Sequence, residues 1–347
     1  MDKIREKAPV PSAHWSEQKE QAAGYWHVRL LLFIFRVWPM FLMRLGAYPV
    51  AFLYFLFSKK VRNDSRRFLE RIAACTAAEG KVFPIRIFRH ILAFSLTVVE
   101  KIEAWGGKVT LDRVHFHDDD VGDLIALLER GEGVLLICSH LGNTELLRGL
   151  ANFNRTGVSR EVSVTSIVDF SVTAHFNRML RELNPNSVLR VISANDIGPD
   201  TIIMLQERLA TGELVVIAGD RTSANSRDRY FLFPFLDEDA PFAYGPFFLA
   251  SLLDVPTYFV FALRQGDTSL ASRYDMYVYK SAVSFDCSRR ERTGRVEDLA
   301  RSFTEKLEYY CKRHPYQWYN FYDFWAKPEV RTKIPERLIK SCGGNCV

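Results

Sequence analysis

The sequence lacks an uninterrupted apolar run of about 20 residues, the length that a simple bilayer-spanning helix needs. Its longest uncharged apolar stretch, residues 45–58, falls short of that, which argues against a plain membrane span. No GxGxxG and no GxxxxGK[ST] occurs, so the glycine loops that cradle nucleotide phosphates are missing. The cysteines Cys75, Cys138, Cys287, Cys311, Cys342 and Cys346 form no spaced framework, and a chain of this length can build a core without disulfides. Cys342 and Cys346, in SCGGNC, have no His or Cys pair nearby to complete a zinc site. Reduced thiols in a cytoplasmic compartment are expected. There is no internal repeat and no low-complexity segment. Basic residues are not gathered into an aromatic-interleaved patch, which argues against nucleic acid. The opening MDKIREKAPVPSAHWSEQKEQ is too charged for a cleavable signal peptide.

What is present is an ordinary globular composition. Of 347 residues, 48% are hydrophobic and 25% charged, and the formal net charge is +5. The length suits one large domain plus an appendage. The positive excess suits an anionic partner such as a membrane surface or an acidic carrier protein.

Residues 29–58, RLLLFIFRVWPMFLMRLGAYPVAFLYFLFS, are the most apolar part of the chain, and KKVR follows. Arg29, Arg36 and Arg44 interrupt the run, as do Pro39 and Pro49. Arg29 and Arg36 are seven apart and share a helical face. The pattern predicts helices lying in the membrane interface, with arginines reaching towards headgroups. A buried core helix pair is the competing reading.

Beyond residue 65 the pattern alternates. Helices are expected at 84–105, 121–130, 198–212 and 296–313, with another starting near 143. Strands are expected at 134–138, 162–168, 188–193, 214–218, 256–263 and 274–280. Short apolar strands between helices predict an α/β fold, a central mostly parallel sheet flanked by helices, with an N-terminal membrane-associated helical segment. The expected division is a lead and membrane-associated helices over 1–65, a catalytic domain over 66–330 and a tail over 331–347. HFHDDD at 115–120 places His115 and His117 beside carboxylates, but it reads as an exposed strand end and turn rather than a metal site.

The stretch VLLICSHLGNTELLR, residues 134–148, carries the chemistry. In α/β sheets, ligands meet the loops at the carboxyl ends of strands, and His140 falls there. Gly142 and Asn143 break the chain, and Asn143 can cap the next helix. His140 and Glu145 would not meet on one continuous helix, but across this turn the carboxylate can reach an imidazole nitrogen. That would be a general base and its orienter. Equally, His140 could bond backbone while Glu145 favours a helix N-terminus. Cys138 and Ser139 adjoin the histidine, but no nucleophile elbow is visible.

SHLGNTE, an H-x4-E motif after an apolar strand, resembles the signature of lysophospholipid-type acyltransferases. More closely, it is similar to the bacterial lipid A lauroyl and myristoyl acyltransferases. Further blocks follow in the same order: LVVIA with GDR at 219–221, APFAYGPFFLASLLDVPTYFVFALR at 240–264, and HPYQWYNFYDFW at 314–325. The resemblance implies His140 as base and Glu145 as orienter. It implies substrate contacts at Gly142, Asn143, Asp220, Arg221, Gly245, Pro246, Gln317 and Trp318. On the residues alone, Asp220 and Arg221 read as a strand-end turn with a solvated ion pair. The family usually carries Gln where Arg221 stands, and in place of its Arg-rich segment this chain has SVTAHFNRMLRELNPNSVLR, with Arg178, Arg181 and Arg190 available, so a variant of the family is implied.

The resemblance further implies direct transfer of an acyl chain from an acyl carrier protein or coenzyme A thioester. The acceptor would be a hydroxyl or amine of a lipid, at the cytoplasmic face of a bacterial inner membrane, with no cofactor and no metal. Arg221 or a backbone N–H near Gly142 would stabilise the oxyanion. A non-catalytic, membrane-docked protein that binds lipid or carrier protein is the alternative.

Overall fold

The structure is a computed structural model, described over residue 33 and residues 37–76, 82–117, 120–152, 156–169, 190–221 and 229–326. Arg29, Arg36, Arg178, Arg181, Cys342 and Cys346 lie outside these residues.

The strands are β1 (Val114–His117), β2 (Val134–Gly142), β3 (Val164–Val168), β4 (Val191–Ser193), β5 (Leu214–Ala218), β6 (Tyr230–Phe235), β7 (Glu238–Ala243), β8 (Thr257–Arg264) and β9 (Tyr274–Lys280). The helices are α1 (Met40–Phe57), α2 (Lys59–Cys75), α3 (Pro84–Trp105), α4 (Asp120–Glu129), α5 (Leu146–Asn152), α6 (Pro199–Ala210), α7 (Gly245–Leu253) and α8 (Arg289–Arg313). A seven-stranded sheet runs in the order β1-β9-β8-β2-β5-β3-β4. Every pairing in it is parallel except β8 with β9. The expected α/β sheet is therefore present. Strands β6 and β7 form a separate antiparallel hairpin, which the sequence pattern did not announce.

Both faces of the sheet are covered, because the central strands are apolar on both sides. Alternate residues serve opposite faces. Leu135, Ile137, Val215 and Ile217 join one core with Phe259, Phe261 and Phe303. Leu136, Leu214, Val260 and Ala262 join the other with Val164 and Leu146.

Helix α1 has two characters. Met43, Arg44, Ala47 and Ala51 are buried, and Ala47 and Ala51 belong to the main core. Phe41, Leu45, Phe52 and Leu56, spaced on the opposite face, are exposed at 59%, 52%, 51% and 47%. Arg44 turns inward: its Nη2 lies 2.5 Å from Glu103 Oε2 and 2.7 Å from Ser272 Oγ. It does not reach outward to headgroups, because a buried carboxylate already claims it. At the other end Arg62 of α2 donates to the carbonyls of Phe55 and Leu56, where a cation complements the helix C-terminus. Helix α2 runs unbroken through residue 65.

Candidate active site

Strand β2 does not stop at Cys138 but continues to Gly142, with a shift of register against β8 between those residues. Gly142 has φ +76°, and a Cβ there would lie 2.1 Å from the Ala262 carbonyl oxygen. Only glycine accepts both the positive φ and this approach. The segment 317–319 closes the open side of this strand end. Gly142 N–H donates to Gln317 O at 2.8 Å, Tyr319 N–H donates to His140 O at 3.1 Å, and Leu141 bridges Trp318 antiparallel.

The parallel register of β2 with β5 then decides the partner of His140. Val134 faces Leu214 and Cys138 faces Ala218, so the residues two further on, His140 and Asp220, lie side by side. His140 Nδ1 is 2.8 Å from Asp220 Oδ1. The backbone N–H of His140 donates to Oδ2 at 2.9 Å, and the Trp318 indole N–H donates to the same oxygen at 3.1 Å. Gly219 makes this corner possible, since a Cβ there would lie 2.8 Å from Ile137.

Asp220 is fully buried. Burial opposes its charge, but His140, Arg221 and the hydrogen bonds outweigh it and hold the carboxyl down at about 2. An ionised Asp220 accepts, so Nδ1 of His140 carries its proton and Nε2 is left with a lone pair. The His140 side chain keeps 30% of its surface exposed. Its pKa is lowered, first by burial and then by the Arg221 charge, against the pull of Asp220. The imidazole is thus a neutral base at physiological pH.

Glu145 is placed differently from the expected orienter. Its Oε2 accepts from the Trp105 indole N–H at 2.9 Å and lies 3.5 Å from Arg148 Nη1. Arg148 in turn stacks on Trp105, 3.9 Å from the ring centroid. Asn143 orders the turn ahead of a helix that starts only at Leu146: its Oδ1 accepts from Glu145 N–H and its carbonyl from Leu146 N–H, each at 3.2 Å. Lys101 of α3, one turn before Trp105, has its pKa lowered by burial, with Glu145 opposing and Arg221 adding to the shift. Lys101 and Trp105 had no signal in the sequence, because they come from α3, far from the motif, while Arg148 closes the motif stretch itself, in α5, without a role being read for it.

Arg221 is held against the 319–320 segment, donating from Nε to Asn320 Oδ1 at 2.8 Å and from Nη2 to Tyr319 O at 2.9 Å. Gln317 is wholly buried. Its amide pairs with the backbone of Arg264, accepting from N–H and donating to C=O, each at 2.8 Å. Gly245 and Pro246 begin α7, with Pro246 buried and the following Phe247 packed on Phe303. Arg190 pairs with Glu213. The backbone N–H groups of Gly142 and Asn143 are engaged with Gln317 O and Ala262 O. Cys138 and Ser139 are buried, and burial pushes the thiol far above the usual range. Among the described residues no group of three or more His, Cys, Asp and Glu could hold a metal; His117 pairs with Asp275 at 2.7 Å.

A family model, bacterial lipid A biosynthesis acyltransferase, matches residues 11–327. The chain belongs to that family. No curated protein sequence matches it. A lipid A biosynthesis acyltransferase has an acyl donor and a lipid acceptor, and the chain is accordingly an acyltransferase by family. A small recess at the end of β2 is lined by Leu136, Leu141, Leu147, Val216, Val260 and Ala262 together with Cys138, Ser139, Asn143 and Thr144; His140 is not part of its lining. The family is typically membrane-associated, and among the described residues one helix, Met40–Phe57, is long and apolar enough to cross a membrane.

Proposed function

We propose that this acyltransferase moves a fatty acyl chain from a carrier-protein or coenzyme A thioester to a hydroxyl or amine of a lipid, with His140 as general base. The observation that carries this reading is the His140–Asp220 pair at 2.8 Å. It fixes the tautomer and leaves the Nε2 lone pair available as a proton acceptor.

In this reading Nε2 takes the proton of the acceptor O–H or N–H as the acceptor atom attacks the thioester carbonyl. The tetrahedral oxyanion forms next to the positive charge of Arg221. It collapses with loss of the thiolate, which takes the proton back from the imidazolium. No acyl-enzyme is formed, because the neighbouring thiol and hydroxyl of Cys138 and Ser139 are buried. Asp220 orients the base, and Glu145 orders Trp105, Arg148 and Lys101 at the rim. Helix α1 docks on the cytoplasmic face of the bacterial inner membrane through Phe41, Leu45, Phe52 and Leu56.

The test is acyl transfer from radiolabelled acyl carrier protein, and separately from radiolabelled acyl-coenzyme A, to a bacterial lipid extract in vesicles. His140→Ala should lose roughly 10²–10⁴-fold in rate while staying folded. A folded His140→Ala protein with near-normal transfer would refute the mechanism. Tight lipid or carrier binding with no transfer by the wild type would favour the non-catalytic alternative.

A further inference from the structure

Asp220 is held on two sides, and only one of them is His140. Its Oδ2 also accepts from the Trp318 indole N–H at 3.1 Å, in a site where Asp220 and Trp318 are 0% and 1% exposed. Trp318 is itself held. Its carbonyl oxygen lies 3.0 Å from His90 Nε2, and His90 Nδ1 lies 2.9 Å from Ser65 Oγ. A carbonyl only accepts, so Nε2 of His90 bears the proton and Nδ1 accepts from the Ser65 hydroxyl. Both His90 and Ser65 are completely buried. The His90 ring is packed by Phe68, Tyr319 and Phe321, so it has no solvent to replace a lost partner. Ser65 belongs to α2, the helix that continues directly from α1.

We infer that Trp318 and His90 are positioning residues for the catalytic pair, forming a hydrogen-bonded relay Ser65–His90–Trp318–Asp220–His140 that runs from the N-terminal helices to the base. The inference rests on the proposed roles of His140 and Asp220. Trp318 shares the charge of the carboxylate and aims Oδ1 at the imidazole. His90 fixes the 317–319 segment, whose Tyr319 N–H and Gln317 carbonyl also grip the end of β2. Burial drives the His90 pKa down to about 4, so the ring stays neutral across the working pH range. A sequence reading sees only Gln-Trp and an isolated histidine; the relay joins five separate segments.

The relay makes a prediction that simple packing does not. Removing the indole N–H leaves more negative charge on Asp220, so imidazolium is better stabilised and the His140 pKa rises. Other charges that set it, Arg221 and Lys101, are unchanged. The readout is the rate at which diethyl pyrocarbonate modifies His140 as a function of pH, followed by peptide mass spectrometry on the full chain in detergent micelles. Trp318→Phe should raise the midpoint by about half a unit and His90→Ala should shift it the same way. His90→Gln, which can donate to the Trp318 carbonyl and accept from Ser65, should keep the wild-type midpoint. A folded Trp318→Phe protein with the wild-type midpoint overturns the relay. If Trp318→Phe does not fold, the indole proton resonance of Trp318 in Asp220→Asn decides: an upfield move supports the relay and no move overturns it. Asp220→Asn also tests the reading beneath. It should lower the His140 midpoint, and an unmoved midpoint there would refute the His140–Asp220 pair itself.

Discussion

His140 and Asp220 stand 80 residues apart in the chain and 2.8 Å apart in space. They meet because β2 and β5 are parallel neighbours in register, and each strand delivers its polar residue at the same height.

This pairing ranks two carboxylates. Asp220→Asn should lower acyl transfer by roughly 10²–10⁴-fold, since an amide can favour the wrong imidazole tautomer. Glu145→Gln should cost about tenfold or less, because Glu145 contacts Trp105 and Arg148 instead of the ring. Rates with radiolabelled thioester would check this. The reverse ranking would restore Glu145 as the orienter.

The lowered pKa of His140 sets the pH dependence. The base works only when neutral, so activity falls as pH drops through that pKa. The acid limb of kcat/KM should therefore lie below the ordinary histidine value of about 6.5. Arg221→Met removes a nearby cation and should move the limb upward; a pH–rate profile of both proteins tests the sign. Asp220 behaves in the opposite sense for stability. Its depressed pKa contributes stability above the ordinary aspartate range near 3.8, and that contribution is lost as pH falls towards about 2.

Arg44 and Glu103 form a buried ion pair across α1 and α3. Arg44→Met leaves Glu103, among the described residues, with Arg113 at 2.7 Å and Ser272 at 3.4 Å. Breaking a buried pair costs about 3 kcal/mol, and Glu103→Gln added to Arg44→Met should recover part of it. Urea unfolding in detergent measures both. By the same reasoning, removing residues 1–60 should destabilise the fold, because Ala47 and Ala51 are part of the main core.

The outer face of α1 tests docking separately. Replacing Phe41, Leu45, Phe52 and Leu56 together by Ser should abolish flotation with vesicles at high salt while the near-ultraviolet circular dichroism spectrum persists. Each Phe or Leu buried in lipid is worth about 1.5–3 kcal/mol. Lys59 and Lys60 should add only a salt-sensitive increment on anionic vesicles. Undiminished flotation of the Ser variant would refute docking through α1.

Much of the fold was legible in the sequence. The expected strands at 214–218 and 274–280 coincide with β5 and β9, the one at 134–138 covers the first part of β2, and the expected helix at 84–105 coincides with α3. Long apolar strands carry their own period and burial. The hairpin of β6 and β7 escaped because Pro234 and Pro241 break the strand pattern. The apolar segment was recognisable too, yet Arg44 pointed the other way from the expectation, since its partner Glu103 belongs to a different helix.

The sequence by itself determined that a histidine would lie just past a buried apolar run, that glycine would follow at Gly142, and that a second such run would lead into Gly219 and Asp220. It also held the clue to the pair: Val134 to His140 and Leu214 to Asp220 are equal steps. Only the tertiary structure decided that these steps lie side by side and that Glu145 turns to Trp105. Local spacing limits which neighbours along the chain can touch. Which distant strand lies alongside, and in what register, follows from how the sheet buries its two apolar faces, and that is settled by the whole core at once.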